Sequence, residues 1–458
     1  MAQRRFTRPI VAIMQSFSIY GRQNTVSPSI RKTTQRERML AAMLELANSE
    51  GYAAASVSKV IGRAGVSRPT FYDYFADKDA CFLATHRDSS ERLLAQINEA
   101  IAQAPPERAP QVAVRRLLER AEAEPAQAQF MAIETMAGGP RALDERDRTI
   151  REIAQAIEGA VELTPPLTPA PDLPTRGLVG AVHWMLSPRL RRSEHDLTVL
   201  ADELDGWIES YNRPAGKHRW RRLEPGPEPP SSPYLSELAT RPPAPLRGGR
   251  SRLPDTEIAR NQRERILHAT AQVAPRKGYS ATTIADIASI AKLDRRVFYK
   301  HFRDKQQAFL AVHELAFQQT MALAASAFFS TAGWEERIWR GIHAASQFNA
   351  IHPSFAHVGY VEAHAVGAPA VQRVEDTRQA FAIFLQEGSQ HTERPPSQLA
   401  MEAIVTTVFE IGYAQFRRGD AARLTRFSYH ATYLCLAPFL GPDAANAFID
   451  GKLREAAT

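Results

Sequence analysis

Ser56-Val57-Ser58-Lys59-Val60-Ile61-Gly62-Arg63-Ala64-Gly65-Val66-Ser67-Arg68-Pro69-Thr70-Phe71-Tyr72-Asp73-Tyr74-Phe75 is a stretch that this chain carries twice. Its second copy reads Thr283-Ile284-Ala285-Asp286-Ile287-Ala288-Ser289-Ile290-Ala291-Lys292-Leu293-Asp294-Arg295-Arg296-Val297-Phe298-Tyr299-Lys300-His301-Phe302. Both sit in a longer ungapped repeat. Gln35 to Leu83 lies on Gln262 to Leu310 at a constant offset of 227 (262 − 35), and 19 of the 49 aligned positions are identical. The period is too long for a solenoid repeat, so a whole domain has been duplicated. The duplication continues behind the motif, where Pro125, Ala128, Glu134, Ala137, Gly139 and Ala142 fall on Pro353, Ala356, Glu362, Ala365, Gly367 and Ala370 at an offset of 228.

The local pattern predicts three short helices per copy. Leu40, Met43, Leu44 and Ala47 follow the i, i+3, i+4, i+7 rhythm of one helical face, and Gly51 closes that helix. Ser56 precedes a second helix whose inner face is Val57, Val60 and Ile61, and Gly65 ends it. Ser67 is placed to N-cap a third, aromatic helix. In the second copy Thr283 and Asp294 stand at the two cap positions. Two short helices joined by a tight turn, the second carrying polar groups at its start, follow the helix-turn-helix plan.

The ordered residues Ser56-Val57-x-x-Val60-Ile61-x-x-Ala64-Gly65-Val66-Ser67-x-Pro69-Thr70-Phe71-Tyr72-x-Tyr74-Phe75-x-Asp77-Lys78, and their counterparts Thr283 to Lys305, resemble the signature of TetR-family transcriptional regulators. The resemblance is close over about fifty residues per copy. It implies an all-α fold of two tandem units, each an N-terminal three-helix helix-turn-helix domain followed by a helical-bundle effector and dimerisation domain. The second copy departs in its turn: Lys292 replaces the usual glycine, which is unfavourable where φ is positive, and Arg296-Val297 replaces the small-residue-Thr pair.

The resemblance also implies the DNA contacts. Arg68, Thr70 and Tyr74 face the major groove in the first copy and Arg295, Arg296 and His301 in the second, with the caps Ser67 and Thr283 counted among the DNA-binding residues. Arginine binds guanine bidentately and a threonine methyl suits thymine. Tyr72 and Tyr299 reach phosphate, and Lys78 and Lys305 add charge at the start of the next helix. The bland alternatives are solvated arginines and tyrosines that merely pack. Phe71, Phe75, Phe298 and Phe302 are core in this picture. From Ile30 to Lys78 there are eight Lys/Arg and five Asp/Glu, and from Glu257 to Lys305 eleven and five. The second copy is expected to bring more phosphate affinity and the first more base discrimination.

Composition bounds the rest. The chain has 458 residues, 44% hydrophobic and 23% charged, which is ordinary for a globular protein of several domains. A net charge of +7 leans weakly towards a polyanion partner. The two cysteines, Cys81 and Cys435, read as reduced thiols of a cytoplasmic protein. Arg4, Arg5 and Arg8 precede a short apolar run that Gln15 interrupts, a poor secretory signal. No apolar run is long enough to span a bilayer, so no membrane partner is expected.

The expected organisation is a disordered tail over 1–29, a helix-turn-helix DNA-binding domain over 30–79 and a helical effector and dimerisation domain over 80–212. A Pro/Arg-rich linker over 213–256 holds ten prolines. A second helix-turn-helix domain over 257–306 and a second effector and dimerisation domain over 307–458 follow. Behind the motifs, helices are expected near 78–103, 108–122, 125–137, 140–163, 174–187 and 194–211, and again near 305–328, 333–350, 353–365, 369–388, 397–418 and 423–439.

In the resembled family the bundle holds a ligand pocket. Glu134, Trp184, Trp339, Phe355, Tyr360 and Glu362 are the candidates to line it here, with Trp334, Phe348, Phe384 and Phe409 as further aromatic candidates. Each has a competing reading as ordinary core or as a solvated or salt-bridged carboxylate. His352, His357 and His364 do not stack on one helical face, so no metal is expected, and no cofactor either. No phosphate-cradling glycine loop, nucleophile elbow or zinc pattern occurs, which argues against an enzyme. The sequence therefore points to a DNA-binding, ligand-responsive regulator, repression being the family's usual mode. Its partners are double-stranded DNA and an unknown small-molecule effector, and it forms an internal pseudo-dimer or a homodimer. The competing reading is a small-molecule-binding or interaction protein in which one head has decayed.

Overall fold

The computed structural model describes residues 34–162, 175–211, 226–229, 242–246 and 253–457, and every regular element among them is helical. The tail expected over 1–29 lies outside the described residues, as does most of the linker. The first unit comprises α1 (Gln35–Glu50), α2 (Val57–Ala64), α3 (Arg68–Tyr74), α4 (Lys78–Ala102), α5 (Ala109–Ala123), α6 (Pro125–Gln129), a π-helical segment (Phe130–Glu134), α7 (Thr135–Ala137), α8 (Pro140–Glu162), α9 (Thr175–Arg191) and α10 (Ala201–Glu209). The second comprises α11 (Asp255–Ala281), α12 (Ile284–Ala291), α13 (Arg295–His301), α14 (Lys305–Phe328), α15 (Trp334–Ile351), α16 (Pro353–His357), a π-helical segment (Val358–Glu362), α17 (Ala363–Val366), α18 (Ala368–Gln386), α19 (Gln398–Arg418), α20 (Ser428–Leu440) and α21 (Pro442–Ala457). The sequence pattern did not announce α21 or the π segments.

The heads form where local chemistry directs. Thr34 and Glu37 make a reciprocal capping box at the start of α1. Ser56 caps α2, Ser67 caps α3 and Asp77 caps α4 through their side-chain oxygens. In the second head Thr283, Asp294 and Asp304 do the same for α12, α13 and α14. Phe71, Phe75, Phe298 and Phe302 are buried against the first helix of each head. Positive φ falls at matched glycines, Gly51 and Gly278, where the chain leaves the first helix.

The two bundles are not separate bodies. Helices α8 and α9 of the first unit face α18 and α19 of the second, and one core runs through both, joining Leu178, Val182 and Trp207 to Ile404, Tyr433 and Leu436. Tyr211 donates to the Leu434 carbonyl at 2.7 Å. At the centre, Arg146 of α8 meets Glu410 of α19 through two bonds of 2.8 and 3.3 Å, each side chain 1% exposed. The Trp184 indole donates to the same carboxylate at 2.7 Å. Gly180 makes room for it, since a Cβ there would lie 2.4 Å from the Glu410 side chain. This pair has no symmetric twin, because the repeat places Val374 where Arg146 stands. The described pieces of the linker are seated: the Gly226 amide donates to the Arg426 carbonyl at 3.1 Å, and Asn261 donates to the Ala244 carbonyl at 3.1 Å.

Candidate DNA interface and effector cavity

In the first head Arg68 is exposed at the start of α3 and its Nη2 donates to Ser58 Oγ at 2.8 Å. The Ser67 and Thr70 hydroxyls are 2.8 Å apart, and Ser67 also accepts from the Thr70 amide. Tyr72 and Tyr74 are 49% and 48% exposed, far more than buried packing residues would be. The helix thus presents two side chains ordered by neighbouring hydroxyls and flanked by two aromatic hydroxyls.

The second head presents a different surface on the same scaffold. The residue at the Ser58 position is Ala285, so Arg295 loses that hydroxyl, and Val297 stands at the Thr70 position. Arg295, Arg296 and Lys300 are exposed and make no ion pair among the described residues. Lys300 replaces Asp73, a reversal of charge on the recognition helix. Tyr299 is 58% exposed. His301 turns back to Gln262, 3.1 Å from its Oε1, and burial first, then Arg263 and Lys300, hold its pKa below the ordinary value. Thr283 serves the capping box with Asp286.

Lys78 and Lys305 are tied inward. Lys305 donates to the carbonyls of Tyr279, Ser280 and Thr282 at 2.8, 3.3 and 2.9 Å, and lies 4.3 Å from the Tyr279 ring centre. Lys78 donates to Tyr52 and Ala55 and sits 4.4 Å over the Tyr52 ring. Both ammonium groups close the loop between the first two helices of their head.

Lys292 occupies the left-handed region at φ 52°, matching Gly65 at φ 61°. Arg265, buried beneath the turn, donates to the Ala291 carbonyl and, at 2.9 Å, to that of Lys292. Its counterpart Arg38 reaches the Gly65 carbonyl at 3.5 Å. The turn survives loss of glycine because a buried guanidinium satisfies its carbonyls.

The six residues singled out for a pocket divide by place. Glu134 and Glu362 end the two π segments and accept the backbone amides of Tyr52 and Tyr279 at 3.1 and 2.7 Å. They fasten each bundle to its head. Burial raises the Glu134 carboxyl above its usual value, with the Tyr52 amide opposing. His357 adds a 3.2 Å contact to Glu362, whereas His364 packs on Trp184 and His352 on Phe348. Trp184 lies at the junction of the units, Trp339 packs on His343 and Tyr429, and Phe355 packs on His268.

Of the six, only Tyr360 lines an apolar cavity of about 170 Å³ in the second bundle. It is stacked between Phe409 and Phe416, and no Cβ fits at Gly412 beneath it. Phe384 and Phe409 also line the cavity, while Trp334 and Phe348 do not. Gly359, in the π segment, lies against His313, which burial holds neutral with a pKa of about 4. The first bundle has a smaller cavity of about 80 Å³. The duplication signals Glu134 and Glu362 but not their task, and no periodicity signals which aromatic residues enclose a void.

Comparison with known proteins places the heads. Residues 39–85 and 266–312 each match the family described as bacterial regulatory proteins, tetR family. No curated protein matches the sequence. Among solved structures, the fatty acid degradation regulator FadR from Bacillus halodurans is 17% identical with a TM-score of 0.34, the alignment covering 39% of this chain and 96% of that one. The TetR-family regulator PfmR from Thermus thermophilus is 20% identical at TM-score 0.31, covering 42% and 95%. FadR from Bacillus subtilis, solved in complex with stearoyl-CoA, is 16% identical at TM-score 0.34, covering 39% and 97%. Among the described residues no helix is long and apolar enough to cross a membrane. Two matched helix-turn-helix heads of the tetR type, each followed by a helical bundle, give the chain a tandem TetR-like DNA-binding arrangement.

Proposed function

We propose that the chain is a sequence-specific, ligand-responsive repressor whose two unlike heads occupy one DNA site made of two unlike half-sites. The observation that carries this reading is that both recognition helices ride on one body, because the two bundles share a core sealed by Arg146 and Glu410. Helix-turn-helix pairs of this kind read half-sites about 34 Å apart. Arg68 and Thr70, each ordered by a neighbouring hydroxyl, supply base discrimination. Arg295, Arg296 and Lys300 supply phosphate affinity, and Tyr72, Tyr74 and Tyr299 add hydroxyl contacts at the backbone. Ser67, Thr283, Lys78 and Lys305 position the helices instead of reaching the duplex. The chain acts in the cytoplasm as an internal pseudo-dimer, and neither bundle is assigned catalysis.

The effector response runs through the second bundle. A ligand filling its cavity presses on Gly359 and Tyr360, two to three residues before Glu362, whose carboxylate holds the Tyr279 amide. Displacing that anchor moves the second head relative to the first and lowers DNA affinity through different binding to two states. The alternative of a decayed second head has less support, since its turn, caps and core are all kept. Selection of duplexes from a random pool tests the proposal. The expected product is a non-palindromic site of two different half-sites; a pool with no enriched sequence rejects it.

A further inference from the structure

The second-unit cavity meets a cation that has no counter-ion. Three arginines converge where α9 packs against α18 and α19. Arg189 is paired with Glu402 through bonds of 2.9 and 2.8 Å, and Arg191 with Glu375 at 2.6 Å. The third, Arg378, lines the cavity and makes no ion pair among the described residues, and its Nη1 is buried without a partner. Its guanidinium lies 5.7 Å from the Trp184 ring centre and 5.6 Å from that of Phe409. Burial lowers its pKa to about 10, with Glu375 and Glu402 opposing and Arg191 and Arg189 adding to the fall, so it stays charged at neutral pH. A half-buried guanidinium that no carboxylate bonds, with one buried nitrogen unpartnered, is open to an arriving anion.

The surroundings narrow the anion. Phe381, Phe384 and Tyr360 make most of the wall apolar. Thr320 and Asn349 bond to one another at 3.4 Å, and Thr377 is bonded to the Arg373 carbonyl at 2.6 Å. His313 is neutral. One fixed positive charge with no second cation suits a monoanion, and a guanidinium fork matches a carboxylate. A cavity of about 150 Å³ admits a benzene-sized body, close to the 170 Å³ here. The smaller cavity of the first unit has no such orphan, because its Arg120 and Arg146 are paired with Glu124 and Glu410.

We propose that the second-unit cavity binds a small apolar monocarboxylate of roughly nine non-hydrogen atoms, with the carboxylate forked onto Arg378. This deepens, and rests on, the reading of that cavity as the effector site. The test titrates the full chain with benzoate, phenylacetate and octanoate, with toluene and benzamide as uncharged controls, by calorimetry and thermal shift. At least one of the acids binds the unaltered chain. Arg378→Met weakens that acid by about ten- to a hundredfold and takes up toluene more tightly, while Arg378→Lys keeps part of the acid affinity. Failure of all three acids to bind overturns the inference, as does equal acid affinity in Arg378→Met. Binding to the selected duplex is measured on the same samples. Intact DNA binding with no acid binding sinks the carboxylate assignment and leaves the regulator standing. Acid binding that leaves DNA affinity unchanged supports the assignment and sinks the effector reading.

Discussion

In the first head Arg68 is steadied by Ser58 and Thr70 by Ser67, while in the second the same places hold Ala285 beside Arg295 and Val297 in place of threonine. The first head thus uses neighbouring hydroxyls to fix two potential base-reading groups. The second dispenses with them and gathers Arg295, Arg296 and Lys300. The bundles diverge in the same spirit, the first contributing Arg146 to the shared core and the second contributing Glu410 together with the apolar cavity beside Arg378. Duplication followed by divergence lets one chain separate tasks that a symmetric dimer must duplicate.

The largest effect is expected at the one-sided ion pair. Glu410→Gln removes the charge that faces Arg146 from the second unit, leaving Asp147 alone beside it, and should cost about 3 kcal/mol in urea unfolding. Replacing both partners by apolar residues, Arg146→Met with Glu410→Leu, should recover most of that loss. A small cost for the single substitution would break the claim that the units recognise each other through this pair.

The heads are compared next. Arg68→Ala should cost about 1–3 kcal/mol of discrimination at one base pair. Arg295→Ala with Arg296→Ala should weaken all sequences alike and lower the slope of log affinity against log salt by about 2. Equal slopes and equal loss of specificity in the two heads would erase the proposed division of labour.

A smaller effect concerns the turn. Lys292→Gly should stabilise the second head by about 1 kcal/mol, and Gly65→Ala should destabilise the first by a similar amount. Opposite signs at matched positions, read from denaturant midpoints, sharpen the point that only the first turn still uses glycine.

The smallest is a difference in acid. Asp286 is held at about 2 against an ordinary 3.8, chiefly by Lys277 and then by Thr283. A depressed folded-state pKa means its contribution is complete above 3.8 and fades as pH falls towards 2. At the matched positions the first head carries the reversed pair, Glu50 on Lys59, which makes no capping box with Ser56, so acid leaves the Ser56 cap in place. Amide exchange in α12 should therefore accelerate on acidification more than in α2.

The heads were legible because the repeat exposes caps, turns and aromatic core at fixed spacing. Much of the bundle helix pattern was readable from apolar periodicity, yet the π segments were not, since one extra residue in a turn leaves no mark on a 3.6-residue rhythm. Glu134 and Glu362 stood out as a matched pair, but that a backbone amide across more than eighty residues would claim each carboxylate depends on packing. The inward turn of Lys78 and Lys305 was hidden likewise, because the carbonyls they hold are not side chains. Arg378 gave no signal at all: in sequence it is one arginine on an amphipathic helix, and only the pairing of Arg189 and Arg191 with the available glutamates leaves it alone.

The central claim is that one chain supplies both heads to one DNA site. Native mass spectrometry of the full chain on a duplex bearing the selected site measures this directly. The expected species is one chain per duplex, unchanged at higher protein concentration; a complex that forms only with two chains per duplex would contradict it.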